Sequence, residues 1–146
     1  MNNWDNRYAE RVKLLVEILP TLAKEPRFAL KGGTAINLFI RDMPRLSVDI
    51  DLAYLPVAGR AGSLAAIQAA LLRIKAAIEA GIQGSIVTTA TTAPENKIVK
   101  LMVSIPGAQI KIEANPVLRG SVYPAVTLSV SDSVEYQFGF AEIQVL

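Results

Sequence analysis

Asp49-Ile50-Asp51 is the local pattern in this sequence with the most chemical content. On an extended strand, residues two apart project from the same face, so the two carboxylates stand side by side. Like charges at that separation repel unless a cation bridges them, and a hard, oxygen-seeking ion such as Mg²⁺ suits the role. A bare Asp-x-Asp also occurs as two solvated aspartates on a strand surface, so its surroundings must decide. A second carboxylate lies in Ile110-Lys111-Ile112-Glu113, where alternation puts Lys111 and Glu113 on one face and the isoleucines in the core. If this strand pairs beside the Asp49 strand, Glu113 becomes the third carboxylate of a divalent-metal site. If it does not, Glu113 belongs to a cross-strand Lys/Glu surface pair. Three carboxylates can hold two metals, one assisting an attacking oxygen and one steadying a leaving phosphate.

Lys31-Gly32-Gly33-Thr34 offers complementary chemistry. Paired glycines allow backbone amides to approach an anion, and a following helix N-terminus favours negative charge. Thr34 adds a hydroxyl and Lys31 a point charge for phosphate. The spacing is not that of a Walker A loop, and a lone Gly-Gly before a helix is usually a tight turn. Arg45 and Ser47 share a strand face with Asp49 and Asp51, so all four can reach one ligand. Arg119, a few residues past Glu113, can clamp a phosphate bidentately. Taken singly, each of these three also reads as an ordinary surface residue.

Composition narrows the chemistry further. The 146 residues contain no cysteine and no histidine. Thiolate nucleophiles, disulfides, imidazole bases and His- or Cys-ligated metals are therefore excluded. What remains is carboxylates, lysine, arginine, hydroxyls and backbone amides, with oxygen-only ligation favouring Mg²⁺. Net charge is +2. All 15 basic residues precede Gly120, leaving a body of +5 and a tail of −3. That gives modest attraction for a polyanion. Length and a 51% apolar content suit one globular domain with a real core.

The elements that must position these residues follow from periodicity. Val12, Leu15, Val16, Leu19 and Leu22 recur at helical spacing, predicting a helix from Asp5 that stops between Pro20 and Pro26. Phe28-Ala29-Leu30 reads as a buried strand, Thr34 as the N-cap of a helix through Ile40, and Arg45 to Tyr54 as a half-buried strand. Ser63 is the expected cap of a long Ala/Leu/Ile helix ending near Gly81. Gln68, Arg73, Lys75 and Glu79 within that helix argue against a membrane span. The N-terminus lacks the apolar run of a signal peptide, so a cytoplasmic location and no membrane partner are expected. Strands are predicted at Ser85–Thr92, Lys97–Ile105, Ala108–Ala114, Val126–Val130 and Ala141–Leu146, with turns at Ala93–Asn96 and Pro106-Gly107. Trp4 and the aromatics of Tyr136–Phe140 read as core or edge residues. The sum is a mixed α+β domain.

In order along the chain, three blocks resemble the abortive-infection nucleotidyltransferase toxins of the AbiEii/AbiGii type. These blocks are Phe28-Ala29-Leu30-Lys31-Gly32-Gly33-Thr34-Ala35, Arg45-Leu46-Ser47-Val48-Asp49-Ile50-Asp51-Leu52 and Ile110 to Gly120. The family belongs to the polymerase-beta-like nucleotidyltransferase superfamily, and the resemblance runs from about Leu14 to Leu146. It implies a polymerase-beta-like core, a mixed sheet flanked by helices. It also implies Mg²⁺ on Asp49 and Asp51, a triphosphate on Lys31, Gly32, Gly33 and Thr34, and assistance from Arg45, Ser47 and Arg119. Glu113 is then the third carboxylate, as metal ligand or as base for the acceptor hydroxyl. The implied reaction transfers a nucleotidyl group from an NTP to an acceptor hydroxyl, a tRNA end among relatives, under the control of a cognate antitoxin. In the family, a strand like Ala141–Leu146 leads into a helical C-terminal region with a further Asp, a Lys and an Arg-Asp motif. Residues 1–146 are accordingly expected to form a single core domain without that region. The face it would have covered is then expected to promote self-association. The alternative reading is a non-catalytic remnant that binds a nucleotide or a partner. A carboxylate-metal nuclease leaves the Gly-Gly-Thr turn unexplained.

Overall fold

Seven buried residues, Val12, Leu14, Leu15, Val16, Ile18, Leu19 and Leu22, make one apolar side of the first helix, α1, Asn6–Ala23. Pro20 lies inside its last turn, where its missing N–H removes the bond to the Val16 carbonyl, and the helix ends at Ala23. The computed structural model describes residues 6–31, 49–56, 59–116, 126–129 and 142–145. Strands β1 (Phe28–Lys31) and β2 (Asp49–Tyr54) precede the second described helix, α2 (Arg60–Gly81). Then follow β3 (Ile86–Thr92), β4 (Lys97–Ile105), β5 (Ala108–Pro116), β6 (Val126–Ser129) and β7 (Glu142–Val145). These bounds agree closely with the periodicity, because alternation and turn residues are local signals. The helix expected over residues 34–40, the strand residues Arg45 to Val48, Trp4 and Tyr136–Phe140 lie outside the described residues.

The seven strands form one mixed sheet in the order β3-β4-β5-β2-β1-β7-β6. The β2/β5 and β1/β7 pairs are parallel, and the other four are antiparallel. Helix α1 packs on β5 and β7, α2 packs on β3, β4 and β5, and the two helices touch. They therefore cover a single face. Ile50, Leu52, Leu101, Val103, Ile110 and Ile112, each at most 1% exposed, point into that layer. The β4–β5 turn passes through Gly107 at φ 91°, a left-handed conformation that glycine adopts without strain.

One expectation fails at the start of α2. The helix begins at Arg60, three residues before the expected cap, with Gly59 at the N-cap and no side-chain capping bond. Ser63 is 1% exposed within the first turn, and its N–H donates to the Gly59 carbonyl at 2.9 Å. An ion pair from Arg60 Nε to Glu95 Oε1 at 2.7 Å ties this early start to the β3–β4 turn. Burial of Ser63 and Leu64 against the sheet, rather than side-chain capping, places the first turn. By length and composition alone, α2 is long and apolar enough to cross a membrane. In this fold Leu64, Ile67, Leu71, Ile74 and Ile78 are buried against the sheet, and its polar side chains are tied to neighbouring elements. Ile98 N–H donates to Gln68, Val87 N–H donates to Glu79, and Arg73 pairs with Glu25.

Candidate active site

The condition on which Glu113 depends is met: β5 lies directly beside β2. Their parallel register sets Asp49 opposite Lys111, Ile50 opposite Ile112 and Asp51 opposite Glu113. Strand alternation then sorts the side chains. Ile50, Leu52, Ile112 and Ala114 are fully buried, while Asp49, Asp51, Lys111 and Glu113 stand on the opposite face of the sheet. Neighbouring strands lie about 4.8 Å apart and residues two apart on a strand about 6.6 Å. Asp51 is thus flanked laterally by Glu113 on β5 and by Lys31 on β1, and along its own strand by Asp49.

The adjoining strands extend the pattern. Lys31, the last residue of β1, pairs with Asp51, so Gly32-Gly33 follows in the chain directly after a residue registered with the carboxylate strand. On the other side, β4 sets Lys100 opposite Glu113 and Met102 opposite Lys111. Lys100 Nζ approaches Glu113 Oε2 at 3.1 Å, and Lys111 Nζ approaches Asp49 Oδ2 at 3.6 Å. These pairs turn two carboxylates sideways along the sheet. As placed, no three acidic side chains among the described residues converge on one point that could hold a metal. The donor chemistry nonetheless fits a hard divalent cation. Three carboxylates share one face of adjacent strands, carry only oxygen donors, and rise from a rigid apolar floor.

Lys100 is a site neighbour that the sequence reading did not single out. Its alternation with Met102 placed it on a strand face, but only the antiparallel β4–β5 register brings it to Glu113. A cavity of about 280 Å³ lies on this face, lined by Thr88, Thr89, Ala90, Lys100, Leu101, Met102 and Lys111. A second, of about 340 Å³, is lined by Arg11, Asp49, Met102, Gln109 and Lys111. Gly32, Gly33, Thr34, Arg45, Ser47 and Arg119 lie outside the described residues, and of Lys31 only the backbone position is described.

Among the described residues, a mixed sheet carries helices on one face and, on neighbouring parallel strands of the other, a carboxylate pair and a third carboxylate, and the fold is that of a nucleotidyltransferase toxin. The structure of MenT4, a nucleotidyltransferase toxin from Mycobacterium tuberculosis H37Rv, superposes with a TM-score of 0.61 at 17% sequence identity. The match covers 95% of this chain and 49% of MenT4, so the chain spans about half the length of that toxin. The family described as nucleotidyl transferase AbiEii toxin, type IV toxin–antitoxin system, matches residues 13–146. The chain belongs to this AbiEii nucleotidyltransferase toxin family. No curated protein matches it in sequence.

Proposed function

We propose that residues 1–146 form a Mg²⁺-dependent nucleotidyltransferase core that transfers a nucleotidyl group from an NTP to an acceptor hydroxyl, with a tRNA end as the acceptor. One observation carries this reading: the parallel register that sets Asp51 opposite Glu113, with Asp49 two residues away on the same face. Asp49, Asp51 and Glu113 would hold the metal, which when bound supplies charge neutralisation at the transferring phosphoryl group. Lys31, Gly32, Gly33 and Thr34 would cradle the triphosphate, with Arg45, Ser47 and Arg119 assisting. A Glu113 carboxylate free of metal could instead accept the proton of the acceptor hydroxyl. Phosphoryl chemistry of this kind depends on positioning and charge more than on a covalent nucleophile, so a chain without Cys or His is equipped for it.

The family description supports a setting in a type IV toxin–antitoxin system. We extend it to a cytoplasmic toxin held in check by a cognate antitoxin and acting in abortive phage infection. The direct test is transfer of labelled nucleotide from each of the four NTPs to bulk tRNA with Mg²⁺, comparing the chain with Asp49→Ala and Asp51→Ala. Label incorporation is expected to fall at least about 100-fold in either variant, as for loss of a central electrostatic group. Incorporation that depends on neither aspartate would refute the assignment. The lysine pairing of Asp49 and Glu113 favours one second reading, a binding module without turnover. Calorimetry separates the two: metal-dependent NTP binding without incorporation identifies the module.

A further inference from the structure

Asp49, Asp51, Glu113, Lys100 and Lys111 share one patch of the face opposite the helices. Arg11 lines a cavity with Asp49 and Lys111 beside this patch, and Lys31 is registered opposite Asp51. Each lysine sits on a carboxylate that metal ligation would require, at 3.1 Å for Lys100–Glu113 and 3.6 Å for Lys111–Asp49. Both pairs are open to water, with side-chain exposures of 42% and 26% in the first and 35% and 47% in the second. Such pairs are weak and are screened by salt. A divalent cation brings twice the charge and close oxygen coordination, so it displaces an exposed ammonium from the same carboxylate.

The displaced lysines have a destination within reach. Lys100 and Lys111 both line the 280 Å³ cavity, together with Thr88, Thr89 and Met102, and no acidic residue lines it among the described residues. The lining is mainly apolar, with the Thr88 hydroxyl on the same strand face as Met102, so the two ammonium groups, once turned inward, would suit a phosphate group attached to a less polar body. While the lysines neutralise carboxylates, that cavity attracts an anion weakly. One divalent ion adds two positive charges to the patch, and its attraction for an anion rises.

Building on the carboxylate site read above, we propose that Lys100 and Lys111 exchange partners. Without metal they neutralise Glu113 and Asp49; once a divalent cation takes those carboxylates, they turn into the adjoining cavity and bind a substrate phosphate. Metal binding then precedes phosphate binding, and the two are positively coupled. The phosphate comes either from the NTP tail or from the backbone of the acceptor strand.

Calorimetric titration with Mn²⁺ alone tests the first half. Titration of the Mn²⁺-loaded chain with a non-hydrolysable NTP analogue, and separately with a single-stranded RNA oligonucleotide, tests the second. In the double variant Lys100→Met/Lys111→Met, Mn²⁺ affinity is expected to rise about three- to tenfold as two competing ion pairs vanish. Affinity for at least one anionic probe should fall about tenfold. Loss for the NTP analogue alone names the triphosphate as the source; loss for the RNA alone names the acceptor strand. The double variant Lys100→Arg/Lys111→Arg should keep anion binding. Unchanged or weaker Mn²⁺ binding in the Met variant overturns the exchange, as do unchanged affinities for both anions. Asp51→Asn keeps this failure distinct from failure of the site itself, since Asp51 carries neither lysine pair. If that variant binds Mn²⁺ as well as the parent, the carboxylate site is wrong. If it loses Mn²⁺ while the Met variant matches the parent, only the exchange is wrong. Should the Met variant lose its native circular dichroism, the single variants Lys100→Gln and Lys111→Gln replace it with the same readouts.

Discussion

Glu79 does two jobs with one carboxylate, and the acid stability of the domain follows from them. Its Oε1 accepts from Lys75 Nζ at 2.8 Å on the same helix, and its Oε2 accepts from the Val87 N–H at 3.1 Å. The Lys75 hydrogen bond, then the backbone bond from Val87, holds its pKa below the usual carboxylate value. Glu95 is lowered likewise, first by its hydrogen bond from Arg60. A carboxylate with a depressed folded pKa contributes stability above its unfolded pKa and loses it as pH falls through the folded value. Urea midpoints should therefore drop as pH falls below the usual carboxylate range. In Glu79→Gln that drop should be smaller, because the glutamine cannot titrate. An equal drop in parent and variant would remove Glu79 from the account.

The candidate site residues divide at this same scale. Asp49, Asp51, Lys111 and Glu113 could be assigned to a face from alternation alone, because a pleated strand has a side-chain period of two. Nothing local pointed to Lys100 as a partner of Glu113. Their meeting depends on the β4–β5 register, which the Pro106-Gly107 turn and the hydrophobic match of Leu101 with Ile112 set together.

At the scale of elements, β5 is the strand on which everything turns. It pairs with β4 on one side and β2 on the other, and both helices pack against it. Ile112 is fully buried between partners Leu101 and Ile50. Ile112→Ala is expected to destabilise the domain by about 2–5 kcal/mol, as in other large-to-small core changes. Thermal or urea unfolding reads this directly, and a loss under about 1 kcal/mol would mean that β5 is not central. Mutation here is also expected to weaken Mn²⁺ binding, because Glu113 rides on the same strand. Helix α2 shows where local preference was overruled. Ser63 has the residue type of a cap, yet its burial with Leu64 draws the first turn further upstream.

For the whole molecule, the division of labour lies between the two faces of one sheet. The helix-covered face holds the core, and the other carries charge. Gathering Asp49, Asp51 and Glu113 on one face works against folding through mutual repulsion, which the two lysines partly offset. A divalent cation that binds the folded patch should thus stabilise the whole domain by mass action, by about 2.7 kcal/mol at 100 times its Kd. For a chain of this size that corresponds to a rise in Tm of roughly 5–10 °C. Mn²⁺ or Mg²⁺ should produce it in the parent and leave Asp51→Asn unmoved in differential scanning calorimetry. A rise of equal size in the variant would place the ion elsewhere.

The sequence by itself determined the helices and strands with strong periods, the faces on which the acids sit, and a restriction to oxygen-based chemistry. The three blocks around Gly32-Gly33, Asp49-Ile50-Asp51 and Glu113 also carried the family resemblance, which the match over residues 13–146 bears out. These are local properties: period, turn chemistry and the order of short motifs are written in neighbouring residues. Only the tertiary structure decided that β5 inserts between β4 and β2, that its pairing with β2 is parallel, and that Asp51 faces Glu113 while Lys100 faces it from the other side. Adjacency between distant strands is chosen by how the described helices bury one face of the sheet, and a one-residue slip would send the acids of the slipped strand into the core. No single segment of the chain contains that choice.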